Sequence, residues 1–200
     1  MRLIRLGILG SGKGSNCRAI LESIESGALT AAVRVVISDV FEAPILDIAR
    51  EFSIPNAYLP PGGFRTRLEP QAEVDLVRML RDAGVELVAL AGFMRVLKAP
   101  MLNAFPRRIV NIHPSLLPKF PGLEAWRQAL EAGETLTGCT VHYVDEEIDH
   151  GDVIAQHEVP ILADDTPERL HARIQIAEHE LYPAVIGQIC RQFVRCLNLL

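Results

Sequence analysis

The chain reads Asn111-Ile112-His113-Pro114-Ser115-Leu116-Leu117-Pro118-Lys119-Phe120-Pro121-Gly122 directly after the run Arg108-Ile109-Val110. The run predicts a strand, and because successive strand side chains alternate between faces, Asn111 and His113 point the same way. Pro114 keeps His113 extended, since the residue before a proline is disfavoured in the α region. An isolated pair of this kind is usually incidental. The proline-rich continuation instead favours a functional site at the carboxyl end of a central strand, where open α/β sheets bind ligands.

Apolar β-type runs alternate with helical patterns on both sides of this stretch, which predicts a parallel α/β fold. The predicted strands cover residues 3–9, 33–37, 56–59, 86–91, a run ending at Asn111, 139–144 and 153–160. The predicted helices cover residues 16–25, 43–52, 69–83, 124–131 and 167–195. No internal repeat or low-complexity linker divides the sequence, so one domain over residues 1–200 is expected.

Composition and charge exclude several classes of protein. A hydrophobic content of 49% is enough for one well-buried domain. The net charge of −5 argues against nucleic-acid binding, which normally needs a basic patch. The N-terminus is too short and too interrupted by Arg5 for a signal peptide, and no apolar run approaches the roughly 20 residues of a membrane helix. We therefore expect a cytoplasmic protein that acts on small molecules, as a monomer or a homodimer.

Neither the cysteines nor the remaining histidines predict a metal site. Four cysteines are scattered along the chain without a C-x-x-C motif: Cys17, Cys139, Cys190 and Cys196. This spacing indicates neither a disulfide framework nor a zinc site. His157, His171 and His179 show no metal-ligand spacing either, so no chemistry is assigned to them.

A glycine-rich segment begins inside the first predicted strand and continues past it: Gly7-Ile8-Leu9-Gly10-Ser11-Gly12-Lys13-Gly14-Ser15-Asn16. Its spacing approaches that of a P-loop, but Gly14 stands where a Ser or Thr would hold magnesium. It also approaches a dinucleotide fingerprint, with Asp39 available for a ribose, so a nucleotide-binding oxidoreductase or sensor module stays open. In either case glycines beside a helix N-terminus favour bound phosphate. The alternative is a tight turn with Ser15 or Asn16 as an N-cap.

The acidic segment 145–149 lies between two predicted strands. Asp149 follows His113 by 36 positions (149 − 113), and the intervening loop, helix and strand can return it beside the imidazole. A carboxylate there favours the protonated imidazole and fixes its orientation. Taken alone, the segment is typical of a solvated turn. His142, on the preceding strand, is equally consistent with a ligand contact and with a buried core histidine.

Over essentially its whole length the chain resembles the glycinamide ribonucleotide formyltransferases, members of the folate-dependent formyltransferase family. The matching blocks, in order, are residues 12–16, 91–95, 111–122, 138–142, 147–149 and 178–179. The resemblance implies a Rossmann-like, mostly parallel twisted sheet flanked by helices. It also implies transfer of a formyl group from the cosubstrate 10-formyltetrahydrofolate to the glycinamide amine in purine biosynthesis, without a metal.

The same resemblance implies which residues form the site. Asn111, His113 and Asp149 become the catalytic set. Contacts to the phosphate and ribose of the nucleotide are implied for Gly14, Ser15, Asn16, Gln175 and Glu178. Contacts to the folate are implied for a larger set: Arg67, Met94, Arg95, Val96, Leu97, Asn111, Asp145, Glu146, Glu147, Ile148 and Asp149.

The chemistry of the three catalytic residues agrees with this assignment. An amine that attacks a formamide-like carbon forms a tetrahedral oxyanion, which Asn111 and protonated His113 can stabilise as hydrogen-bond donors. Asp149 would sustain the His113 cation, or position a water that relays the proton from the amine to folate N10. The sequence therefore predicts acid–base and electrostatic catalysis of formyl transfer.

Two related activities use the same Asn–His–Asp set, according to the resemblance. The 10-formyltetrahydrofolate hydrolases usually carry a regulatory domain ahead of the catalytic one, and the methionyl-tRNA formyltransferases carry a basic domain after it. Neither is expected here, so transfer to the nucleotide is the main interpretation and hydrolysis is the alternative. The chain departs from the family pattern at Lys13, Glu124, Trp126 and His150, and Lys13 should favour an anion.

Overall fold

Strands and helices alternate along the described chain. The structure is a computed structural model that describes residues 2–197, with side chains through Arg195. The strands are β1 (Ile4–Leu9), β2 (Ala31–Ser38), β3 (Asn56–Tyr58), β4 (Leu87–Leu90), β5 (Ile109–His113), β6 (Leu136–Tyr143) and β7 (Val153–Pro160). The helices are α1 (Ser15–Glu25), α2 (Pro44–Glu51), α3 (Pro70–Asp82), α4 (Ala99–Ala104), α5 (Ala125–Glu131) and α6 (Pro167–Leu197).

The strands form one sheet in the order β3-β2-β1-β4-β5-β6-β7. Strands β1 to β5 run parallel, whereas β6 and β7 pair antiparallel with their neighbours. The predicted α/β class and mostly parallel sheet are therefore confirmed. β5 lies inside the sheet between β4 and β6, so its carboxyl end opens on the edge where ligands bind in such folds.

Two details differ from the sequence prediction. β5 continues to His113 rather than ending at Asn111, because its pairing with β6 extends to the partners His113 and Thr140. The short helix α4 was not predicted. Its six residues give less than two helical turns, which is too little for a periodic pattern to emerge.

The hydrophobic core lies on both faces of the sheet, as the alternating residues of β4 show. Leu87 and Ala89 pack in one cluster with residues of α1, α2 and α6. Val88 and Leu90 pack in a second cluster with residues of α3 and α4. All four side chains are buried, which is the expected state of a parallel strand covered by helices on both faces.

Helix α6 is fixed to the centre of the sheet by one side chain. Tyr182 is fully buried, and its hydroxyl lies 3.0 Å from the carbonyl oxygens of both Leu90 and Val110. The helix is thereby joined to the last residue of β4 and to the second residue of β5. Across residues 2–197, no helix is both long and apolar enough to cross a membrane.

Three cysteines, Cys17, Cys139 and Cys190, are buried free thiols, while Cys196 lies outside the described side chains. In the part of the chain that the structure describes, no group of three or more His, Cys, Asp or Glu side chains is placed to hold a metal ion.

Candidate active site

A cavity of about 870 Å³ opens at the carboxyl ends of β1, β4 and β5, the edge at which the sequence predicts a site. The loop after β1, the segment after β4 and the connection between β6 and β7 surround it, and α6 closes one side. Fifteen predicted residues line it: Gly14, Ser15, Asn16, Met94, Arg95, Val96, Leu97, Asn111, His113, Asp145, Glu147, Ile148, Asp149, Gln175 and Glu178.

The rim of this cavity is apolar. Met94, Leu123 and Ile148 line the opening with 57%, 76% and 60% of their surface exposed, and each belongs to a different loop. Ligand sites combine apolar walls of this kind with a few placed polar groups. The rim can therefore cover apolar surface of a bound ligand.

The glycine loop leaves the N-terminus of α1 open to the cavity. Gly14 precedes the helix in the left-handed region, at φ 75°, and a Cβ there would lie 2.8–2.9 Å from atoms of Ile45. Glycine is therefore required by both the backbone conformation and the available space. Within the described chain no side chain caps α1, which removes the N-cap alternative for Ser15 and Asn16. The first N–H groups of the helix are left free to bind an anion.

Asn16 and Glu178 form a buried polar pair beside this loop. Asn16 Nδ2 donates a hydrogen bond of 2.9 Å to Glu178 Oε2, and Asn16 Oδ1 has no partner within the described residues. Burial raises the pKa of the Glu178 carboxyl to about 7, although the hydrogen bond from Asn16 acts in the opposite direction. The pair therefore offers a ligand both an unused acceptor and a carboxyl group that changes charge near neutral pH.

Asn111 is held by a histidine on the neighbouring strand. Asn111 and His142 are register partners, and Asn111 Nδ2 lies 3.1 Å from His142 Nε2. His142 Nδ1 lies 2.8 Å from the carbonyl oxygen of Tyr143, so that nitrogen carries the proton and Nε2 accepts from the amide. His142, which the sequence left open, thus fixes the orientation in which Asn111 presents its N–H groups.

His113 faces an oxygen on each side of its ring. Its Nε2 lies 2.9 Å from the carbonyl oxygen of Phe120, and its Nδ1 lies 3.2 Å from Asp149 Oδ2. Burial lowers the pKa of the imidazole below its ordinary value, while the charge of Asp149 and the Phe120 carbonyl oppose this shift. The position of Asp149 beside His113 agrees with the expectation from the sequence.

Asp149 is positioned by His113 and by a backbone N–H, and it lies beside His142. Besides His113, its carboxylate accepts a hydrogen bond of 2.8 Å from the Gly122 N–H and lies 3.6 Å from His142 Nε2. Burial opposes its ionisation, but the charge of His113 and the Gly122 N–H hold the pKa of the carboxyl below its ordinary value. Asp149 is therefore an anion at neutral pH, and it links the acidic segment to β5 through His113.

A buried ion pair connects the other walls of the cavity. Arg95 Nε donates to Asp39 Oδ2 at 2.6 Å, and Arg95 Nη1 lies 2.6 Å from the carbonyl oxygens of Phe64 and Arg65. The second oxygen of Asp39 accepts a hydrogen bond from the Ser11 hydroxyl. Both oxygens of this carboxylate are thus occupied, so the structure does not support its use as the ribose-binding acid of a dinucleotide site.

Two predicted folate-binding residues do not line the cavity. Arg67 is exposed, forms an isolated backbone bridge with Val96, and lies over the ring of Phe64 at 4.1 Å from its centroid. Glu146 is exposed in the acidic segment, next to residues that do line the cavity. Both stay predictions for an outer contact with a bound ligand.

The sequence missed an aromatic pair at the glycine-loop end of the cavity. Trp126 and His171 both line it, and their rings stack with centroids 3.7 Å apart and an interplanar angle of 2°. The two residues lie on α5 and α6, separated by more than forty positions (171 − 126 = 45), so no local pattern joins them. The departure of Trp126 from the family pattern was the only available signal.

Comparison with known proteins agrees with this geometry. The family model described as formyl transferase matches residues 4–186. The trifunctional purine biosynthetic protein adenosine-3 of Drosophila pseudoobscura pseudoobscura is 44% identical over 193 residues, which cover 96% of this chain and 14% of that protein. Its Homo sapiens counterpart is 40% identical over 182 residues, with coverages of 91% and 18%. The chain thus spans less than a fifth of these relatives.

Solved structures match over nearly their full length. Glycinamide ribonucleotide transformylase 1 from Symbiobacterium toebii superposes with a TM-score of 0.91 at 46% identity, covering 95% of this chain and 89% of that one. Phosphoribosylglycinamide formyltransferase from Bacillus halodurans superposes with a TM-score of 0.87 at 41% identity, covering 92% and 94%. The fold, the family match and the arrangement around His113 agree, and the chain belongs to the formyl transferase family.

Proposed function

We propose that this protein is a phosphoribosylglycinamide formyltransferase, which moves the formyl group of 10-formyltetrahydrofolate to the amine of glycinamide ribonucleotide. The observation that carries the proposal is the arrangement of one cavity. A helix N-terminus suited to phosphate lies at one end, the Asn111, His113 and Asp149 side chains lie at its base, and an apolar rim lies at the other end.

The nucleotide occupies the glycine-loop end in this proposal. Its phosphate is bound by the free N–H groups at Gly14, Ser15 and Asn16, where the helix dipole favours an anion. The ribose lies on Gln175 and Glu178, which line the cavity from α6. The glycinamide amine then extends toward the end of β5.

The folate occupies the rim. Its ring system lies against residues 94–97 and the acidic segment 145–149, with Asn111 at its inner end and Arg67 and Glu146 as outer contacts. Exposed Met94 and Ile148 supply apolar surface for this ring. The formyl carbon is thereby brought to the side chains of Asn111 and His113.

In the reaction the amine nitrogen forms a bond to the formyl carbon, and the bond from that carbon to folate N10 then breaks. The tetrahedral intermediate carries a negative oxygen, which Asn111 stabilises with an N–H group not used by His142. His113, held by Asp149, supplies positive charge at the same point. The proton that the amine loses passes, directly or through a water on Asp149, to N10.

An absorbance assay that follows loss of the formyl group from 10-formyltetrahydrofolate, with and without glycinamide ribonucleotide, tests this proposal. We expect turnover only when the nucleotide is present. Turnover that ignores the nucleotide would identify a hydrolase, and absence of turnover under both conditions would also contradict the proposal.

The role of Asn111 is tested with Asn111→Ala, which removes one oxyanion donor and should lower kcat by about 100–1000-fold. Aspartate would be a poorer choice, because it places a second carboxylate beside Asp149 and His142. Asn103→Ala, at an exposed position on α4, is the matched control and should keep wild-type activity. An Asn111→Ala enzyme with half the wild-type kcat would remove this residue from the mechanism.

A further inference from the structure

Three residues that the proposed mechanism leaves unused meet at the nucleotide end of the cavity. Lys13 comes from the glycine loop, Trp126 from α5 and His171 from α6, and all three line the same cavity. Among residues 2–195, Lys13 forms no ion pair and the His171 ring makes no hydrogen bond. A free ammonium group and a free imidazole therefore stand next to the helix N-terminus that is suited to phosphate.

The stack restricts the position of the imidazole. With ring centroids 3.7 Å apart and an interplanar angle of 2°, Trp126 covers one face of His171 and leaves the ring nitrogens at the edge. Both side chains are half-buried. A ring nitrogen can therefore reach a ligand in the cavity without losing the stack.

The surroundings of His171 disfavour the protonated form of its ring. Burial, and secondarily the positive charge of Lys13, lower the pKa of His171 below its ordinary value. At the start of α5, which carries Trp126, Glu124 and Arg127 pair with each other at 3.0 Å. On α6, Glu168 lies one turn before His171 and Glu178 two turns after it, and Glu178 lines the same cavity.

We propose that His171, held flat against Trp126 and next to Lys13, is a specificity-determining residue that binds the phosphate group of the nucleotide and takes up a proton when it does so. The proposal rests on the proposed function, which brings a phosphate to the glycine loop. A phosphate offsets the field of Lys13 and favours the imidazolium, which then donates a charge-assisted hydrogen bond. A cation stacked on an indole ring gains further attraction.

Binding of glycinamide ribonucleotide to wild type, His171→Ala and His171→Gln, measured by calorimetry at several pH values, tests this inference. The ratio of the Kd of His171→Ala to that of wild type should be about tenfold near pH 6 and fall to about twofold near pH 8. Glu178 also titrates in this range, but it does so in both proteins, so its own titration is common to both terms of the ratio. The second ionisation of the phosphate is coupled to His171 through the proposed contact, so it is part of the predicted pH dependence. His171→Gln keeps a polar side chain that cannot titrate, so its affinity relative to His171→Ala should not depend on pH.

Two controls identify the group that His171 contacts. The corresponding riboside, which lacks the phosphate, should bind equally well to wild type and to His171→Ala. His157→Ala, at an exposed position on β7 outside the cavity, should leave nucleotide binding unchanged. Because Trp126 is the only tryptophan in the sequence, its emission should also change when the nucleotide binds to wild type.

The possible failures are distinct. A Kd ratio that does not change with pH, or an equal loss of affinity for the riboside, overturns the role of His171 while the wild-type enzyme still binds and formylates the nucleotide. A wild-type protein that does not bind the nucleotide at all overturns the proposed function, and this inference with it.

Discussion

At the scale of single residues, the His113 ring is placed so that neither neutral form fits its surroundings. If the proton is on Nε2, the bare Nδ1 faces Asp149; if it is on Nδ1, the bare Nε2 faces the Phe120 carbonyl oxygen. Only the imidazolium satisfies both contacts, yet burial disfavours that charge. The ring is therefore ready to take a proton as soon as negative charge develops beside it.

The coupling of His113 and Asp149 predicts non-additive losses in a double-mutant cycle. His113→Ala and Asp149→Asn should each lower kcat by about 100-fold, and the double variant should be little worse, because groups that act as a unit are not additive. Asp149→Asn should also shift the apparent pKa of His113 downward, since the opposing negative charge is gone. Profiles of kcat against pH for all four proteins measure both effects. Asp152→Asn, at an exposed site, is the control, and additive losses would assign the two residues to separate steps.

Glu178 predicts a pH dependence of stability. Its pKa is about 7 in the folded protein and near 4.5 when unfolded, so between these values the folded state binds more protons. The contribution of Glu178 to the free energy of unfolding therefore falls as pH rises through this window.

Glu178→Gln should remove that loss and raise the free energy of unfolding near pH 8 by about 1–3 kcal/mol relative to wild type, with little change near pH 5. Urea unfolding at the two pH values measures the difference. Glu180→Gln, at an exposed position on the same helix, should leave the pH dependence unchanged. An equal effect of Glu178→Gln at both pH values would show that its carboxyl does not titrate as described.

At the scale of elements, the sequence predicts what local patterns determine. Apolar runs and glycines were enough to predict β1, β5 and the glycine loop. The alternation of strand side chains was enough to predict that Asn111 and His113 point to the same side. From the sequence Asp39 was a candidate ribose-binding acid at the end of a strand; its ion pair with Arg95 could not be predicted, because the two residues are 56 positions apart and meet only in the folded chain. The Trp126–His171 stack and the Asn111–His142 contact could not be predicted for the same reason, since each joins residues of separate elements.

Removing one partner of the Asp39–Arg95 pair should lower the free energy of unfolding substantially. The Asp39 side chain is 1% exposed and that of Arg95 is 15% exposed, so Arg95→Met leaves a buried carboxylate without its partner and should destabilise the protein by about 3 kcal/mol. The KM for the folate should rise more than that for the nucleotide, because the segment after β4 loses its anchor. Arg107→Met breaks an ion pair whose side chains are both 69% exposed and should not change stability measurably. Equal stabilities of the two variants would show that the buried pair does not fix these loops.

At the scale of the whole molecule, alternation of strands and helices predicted the class of sheet but not how the last helix closes it. Parallel strands that are covered on both faces have continuous apolar sequences, so their number and order along the chain could be predicted. The hydrogen bonds of the Tyr182 hydroxyl to the carbonyl oxygens of Leu90 and Val110 could not be predicted. Every residue has a backbone carbonyl, so the sequence does not show which of them a distant hydroxyl will contact.

Tyr182→Phe should lower the free energy of unfolding by about 1–3 kcal/mol, since it leaves buried carbonyl groups without their shared donor while keeping the ring. Chemical denaturation measures the change. Tyr58→Phe removes a hydroxyl from a partly exposed ring on β3 and is the matched control. If both variants unfold at the same denaturant concentration, the hydroxyl does not join α6 to the sheet.

The apolar rim formed by Met94, Leu123 and Ile148 has a thermodynamic consequence. Without a ligand these three side chains are exposed to water, so the protein has an apolar surface that can promote association. A bound ligand would bury this surface. Binding of the folate should accordingly show a negative change in heat capacity. The loaded protein should also resist aggregation on storage better than the empty one, which makes the supply of cosubstrate a determinant of colloidal stability as well as of turnover.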